Sequence, residues 1–73
     1  MSKLSVISGK NLCKKLKNVG YLIDHQTGSH IILRNTNLPF RRLTVPNHKE
    51  IAKGTLRAII KQAGLTLDEF NNL

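Results

Sequence analysis

The apolar residues of this 73-residue chain change their spacing twice, and that change limits the fold more than any other property. After Ser8, the residues Leu12, Cys13, Leu16 and Val19 recur at helical spacing, while Lys10, Lys14, Lys15 and Lys17 mark a solvent side. Ser8 is a good N-cap, and Gly20 reads as the left-handed residue that stops the helix, with Tyr21 making the apolar contact beyond it. Over the middle of the chain the period falls to two. Residues 21–25, 29–34 and 41–46 read as three short strands. In the second, His30, Ile32 and Arg34 share one face and Ile31 and Leu33 the other. In the third, Leu43 and Val45 oppose Arg42 and Thr44. Residues 35–40, with Pro39, read as a loop, and Pro46 removes a ladder donor and closes the sheet.

The helical spacing then returns in "GTLRAIIKQAGL", where Leu56, Ile59, Ile60 and Ala63 form an apolar stripe that Gly64 ends. Leu65 is the apolar contact beyond that stop. "TLDE" from Thr66 makes a capping box with Glu69 at its third helical position, which starts a terminal turn and returns Phe70 to the core. The order helix, three antiparallel strands, helix predicts an α+β fold with both helices on one sheet face and the other face open. The length predicts a single domain over residues 1–73. A chain this short buries only about 60% of its unfolded surface, so the core must be efficient. That core is aliphatic, with Tyr21, Phe40 and Phe70 as the aromatics.

Charge narrows the function. Twelve Lys and Arg face four acids, for a net +8, and two of the acids, Asp68 and Glu69, lie near the C-terminus. Such a balance implies an anionic partner, most often nucleic acid and less often an acidic protein or a membrane surface; a merely soluble surface is the plainer reading. The one cysteine, Cys13, sits at helical spacing from Leu16, reads as buried filler and excludes an internal disulfide framework. No apolar run is long enough for a signal peptide or a bilayer span, so the expectation is a cytoplasmic protein that does not engage a membrane. The three histidines and four acids are scattered, so neither a metal centre nor a cofactor is expected.

The stretch "HQTGSHIILR" carries the candidate chemistry. A three-residue loop of Gln26, Thr27 and Gly28, with Gly28 left-handed, would set His25 opposite Ser29, Asp24 opposite His30 and Ile23 opposite Ile31. In that register Ile23 and Ile31 face the helices, and Asp24 and His30 share the open face. A two-residue loop would instead pair Ile23 with Ile32 and turn the open face apolar, so the first register is preferred. A carboxylate beside an imidazole fixes its tautomer, and Arg34 on the same face could hold a phosphate. The alternative is that His30 is an ordinary solvated strand residue.

"SGKNLCKKLKNVGY", "GSHIILR" and "RRLTVPNHKEIAKGTLRAIIKQAGLTLDEF" together resemble the HicA-type messenger-RNA interferase toxins of bacterial and archaeal toxin–antitoxin modules. The resemblance runs from about Ser8 to Phe70, with the G-S-H turn and the V-P-x-H…K-G-T-L-R…Q-A-G-L run in the family's order and spacing. It implies a fold like the double-stranded-RNA-binding domain, ribosome-independent cleavage of RNA, and neutralisation by a HicB-type antitoxin. It also implies that the essential histidine is His30, after Gly28 and Ser29. Family members often carry a basic residue where this chain has His25, which leaves the role of His25 open, and the resemblance says nothing of Asp24.

Without a metal-bound water, cleavage can use the RNA 2′-hydroxyl as nucleophile, with His30 as general base or acid and a 2′,3′-cyclic phosphate as product. Lys49, Lys53, Arg57 and Lys61 either track phosphates or solvate their helix. Gly54 and Thr55 open that helix, either as a phosphate-binding start or as simple capping. His48 is a second candidate proton carrier. Two rival readings stand beside this one: a non-catalytic RNA-binding module of the same fold, and an interaction subunit whose basic surface exists for an acidic partner.

Overall fold

A computed structural model describes residues 3–73. Its elements run α1 (Gly9–Lys17), β1 (Tyr21–Thr27), β2 (His30–Asn35), β3 (Arg42–Pro46), α2 (Lys53–Gln62) and α3 (Leu67–Asn71). The strands form one antiparallel sheet in the order β1-β2-β3. Ile31, Leu33, Leu43 and Val45 on one sheet face form a single buried cluster with Leu12 and Leu16 of α1, Leu56, Ile59 and Ile60 of α2, and Phe70 of α3. All three helices therefore share that face, and the opposite face is left to solvent.

The helix ends follow their sequence signals. The Ser8 side chain accepts from the Asn11 backbone N–H at 3.1 Å, and Gly20 and Gly64 hold the left-handed φ values, 96° and 80°, that stop α1 and α2. Thr66 and Glu69 form the reciprocal capping box of α3, with bonds of 3.1 Å and 2.8 Å. The box aims Phe70 into the core, and the Lys15 ammonium lies 4.2 Å over its ring. Cys13 is buried and free, as its spacing implied, and burial pushes its thiol above the usual range.

Two core residues carry no periodic signal. Leu4 lies in the segment that precedes α1, and Ile51 lies in the connection between β3 and α2. Backbone bonds from Ile51 N–H to the Ile7 carbonyl (3.0 Å) and from Gly9 N–H to the His48 carbonyl (2.9 Å) lace these segments together. At that seam the Gly9 backbone packs so closely on β3 that a Cβ there would run into the Pro46 carbonyl oxygen and lie 3.0 Å from Asn47 Cα. Only glycine fits.

The hairpin departs from the three-residue loop expected from sequence. Thr27 pairs with His30, so the turn is the two residues Gly28 and Ser29. Gly28 has φ +56° while Ser29 stays out of the left-handed region, the sign of a type II′ turn, which takes glycine at its first central position. Pairing continues with Gln26 to Ile31 and His25 to Ile32, then slips by one so that Ile23 meets Leu33. Asp24 is the extra residue of a β-bulge. Asp24 is thus not opposite His30, His25 is not opposite Ser29, and Ile23 is not opposite Ile31. Ile23 does lie on the helix side, yet it is 61% exposed, because β1 is an edge strand and α1 covers it only in part.

Candidate functional site

The bulge decides which side chains reach the open face. In a strand every one-residue slip exchanges the faces. Tyr21 and Ile23 point to the core side, beyond the bulge His25 and Thr27 point to the open side, and Tyr21 is 2% exposed. Directly paired residues share a face, so the open surface is ordered in three cross-strand rows. Thr27, His30 and Pro46 form the first, His25, Ile32 and Thr44 the second, and Leu22, Arg34 and Arg42 the third.

His30 heads β2 and is exposed. Its backbone is fixed from two directions, by the turn before it and by its pairing with Pro46. Just beyond that pair the Asn47 N–H donates to the Ser29 carbonyl at 2.7 Å, which ties the turn to the segment entering α2. Among the described residues no side chain hydrogen-bonds the His30 ring, and the residue is exposed.

Asp24 and His25 lie side by side, with His25 Nδ1 2.7 Å from Asp24 Oδ2. The hydrogen bond from His25 is the main reason the Asp24 carboxyl is held below its ordinary value, with smaller help from the charges of His25, Arg34 and Arg42 against a desolvation that raises it. The arginines therefore act on the same patch as the Asp24–His25 pair. This face can bind an anion through Arg34 and Arg42 and exchange protons through two imidazoles.

The other expected residues lie elsewhere. Lys53, Arg57 and Lys61 are exposed at four-residue intervals, one outward row along α2. The buried side of α2 packs on the covered face of the sheet, so this row is not beside His30. Lys49 and Thr55 are exposed near the start of α2, whose N-cap Ala52 offers no side-chain cap. His48 is exposed, but its backbone is tied to the start of α1. Among the described residues no three His, Cys, Asp or Glu side chains gather as metal ligands, and no helix is long and apolar enough to cross a membrane.

Sequence reasoning left two residues of this face out of the site. Arg42 was placed on the open side by the alternation of its strand, yet its position beside Arg34 depends on the β2–β3 register. His25, expected opposite Ser29, instead pairs with Ile32, because the bulge at Asp24 shifts the register.

A three-stranded antiparallel sheet with its helices on one side and an exposed histidine and arginines on the other defines a small basic α+β protein. Residues 9–65 match the family described as HicA toxin of bacterial toxin–antitoxin systems, and the chain belongs to that family. It is a toxin of the toxin–antitoxin class. A solved toxin–antitoxin complex from Streptococcus pneumoniae contains a similar chain, with a TM-score of 0.68 and 35% identity over 81% of this chain and 98% of that one. No curated protein matches the sequence.

Proposed function

We propose that this toxin is a ribosome-independent endoribonuclease of the cytoplasm that cleaves messenger RNA, with His30 as catalytic residue, and that a HicB-type antitoxin silences it. The observation that carries the reading is the position of His30, exposed and backbone-anchored on the same open face as Arg34 and Arg42. Membership of the HicA family and likeness to a chain from a toxin–antitoxin complex support the toxin and its partner.

The arginines hold the scissile phosphate and balance charge that develops on it. His30 takes the proton of the RNA 2′-hydroxyl, and O2′ attacks phosphorus in line with the leaving 5′-oxygen. Gly28 and Ser29 serve by holding the turn. Lys49, Lys53, Arg57, Lys61 and Thr55 extend RNA contact away from the cleavage point, and the salt dependence of binding reports them. A single positioned proton carrier gives on the order of 10²–10⁴-fold, so the enzyme is slow per encounter.

The test is incubation of purified protein with RNA in EDTA, beside a DNA of the same sequence. The expected result is RNA cut to 2′,3′-cyclic phosphate ends, intact DNA, and loss of cutting in His30→Ala. RNA that is bound but not cut would instead support a binding module of this fold, a reading that the outward basic row on α2 favours. Full cutting by His30→Ala would overturn the assigned mechanism.

A further inference from the structure

An in-line displacement is faster with two proton carriers than with one. O2′ and the leaving O5′ lie on opposite sides of phosphorus, so a ring close enough to take the proton from one cannot deliver a proton to the other in the same step. The open face supplies a second imidazole. His25 pairs with Ile32, and His30 stands two residues before Ile32 on β2, so the histidines are diagonal cross-strand neighbours about 7–8 Å apart along the backbone, within reach of long side chains. A phosphodiester can lie between them.

The Asp24 contact prepares His25 for that part. The Asp24 carboxylate only accepts, so in the 2.7 Å contact the hydrogen is on His25 Nδ1. Nε2 is left as the atom for exchange, and the carboxylate fixes the ring and balances the positive charge a second proton brings. From the neighbouring strands, Ile32 and Thr44 lie in the same row as His25, His30 lies to one side, and Arg34 and Arg42 lie to the other. No second carboxylate from β2 or β3 competes for the ring. His48 is less suited, because its backbone is anchored toward α1 rather than carried on a strand of the open face.

We propose that His25 is the general acid of RNA cleavage, with Asp24 as its positioning residue; this rests on the reading of His30 as the base. The 2′-O–H bond breaks as its proton passes to His30, and the O2′–P bond forms. The P–O5′ bond breaks as His25 Nε2 delivers its proton to O5′. The products are a 2′,3′-cyclic phosphate and a 5′-hydroxyl, and both rings reset by exchange with water.

The experiment compares two oligoribonucleotides, one ordinary and one with a 5′-bridging sulfur at the scissile position, whose thiolate leaves without protonation. On ordinary RNA, His25→Ala and His25→Gln are expected to cut about 10²–10⁴-fold more slowly than wild type. On the sulfur substrate both are expected to return to within a few-fold of wild type, while His30→Ala stays slow on both. Asp24→Asn should show a smaller loss that the sulfur also relieves. Circular dichroism melting checks that each variant folds, as expected for exchanges at exposed positions. A His25 variant that cuts ordinary RNA like wild type, or one equally slow on both substrates, overturns the assignment. If wild type cuts neither substrate, the ribonuclease reading fails, and this assignment with it.

Discussion

Ser29 and Asn47 are joined across the end of the sheet by a 2.7 Å hydrogen bond from the Asn47 N–H to the Ser29 carbonyl. The turn that precedes His30 is thereby braced by the chain that leaves β3 for α2. A residue at the head of a strand would otherwise fray, since chain ends and loop tips are the least ordered parts of small domains. The brace explains how an exposed histidine beside a two-residue turn keeps a fixed position.

That turn depends on Gly28. A Cβ there meets nothing within 4 Å, so substitution is penalised only by the backbone, at φ +56°. Gly28→Ala is expected to cost about 1–2 kcal/mol in urea unfolding, and Gly28→Asn less, because Asn is among the residues that such turns accept at a positive φ. Equal stability of all three proteins would show that the turn does not hold this φ.

The same substitution at two other glycines should have opposite signs. Gly9→Ala drives a Cβ into the Pro46 carbonyl, and neither backbone can yield without opening the seam between α1 and β3. A loss of about 2 kcal/mol or more is expected, as for overpacked core sites. Gly54 sits in α2 with open space around it, and Gly54→Ala is expected to gain about 0.5–1 kcal/mol through helix propensity. Denaturant midpoints of the two variants read the contrast directly.

The capping box of α3 gives a third measure. Thr66→Ala removes the side-chain acceptor for the Glu69 N–H and should cost about 1 kcal/mol. Hydrogen exchange in α3 should quicken with it, since Thr66 starts the five-residue helix that docks Phe70.

Asp24 carries the pH dependence. Its carboxyl titrates below the ordinary value in the folded chain, so its favourable contact is complete above the unfolded-state value and is lost as pH falls through the folded one. Carboxyl carbon NMR should show the Asp24 midpoint rising toward ordinary in His25→Gln. In Arg34→Gln the rise should be smaller, since the hydrogen bond outweighs the more distant charge. An unchanged midpoint in His25→Gln would show that the pair is not formed in solution.

Much of this fold is legible because its signals are local. Ser8, Gly20, Gly64 and the Thr66–Glu69 box each act within a few residues, and the alternation from His30 to Arg34 needs no partner to be read. The hairpin register is not local. Gly28 suits both a three-residue loop with a left-handed last residue and a two-residue turn with a left-handed first one. The adjacent Leu22 and Ile23 are both apolar, so they leave either phase of β1 acceptable until the sheet is assembled. What decides is burial of Tyr21 at one end of β1 together with the turn at the other, a demand only the bulge meets. The Asp24–His25 pair, which depends on that bulge, was hidden for the same reason, while His30 was visible from its strand alone.

The bulge also separates two kinds of constraint within seven residues. On one side of Asp24 the odd-numbered positions face the core, and on the other side they face the open surface of the sheet. Removing one residue at this point would not shorten the strand so much as invert half of it, turning His25 and Thr27 inward or Tyr21 outward. The number of residues between Tyr21 and Thr27 is therefore under tighter constraint than the identity of the extra one, since the count alone keeps Tyr21 in the core and His25 on the open face.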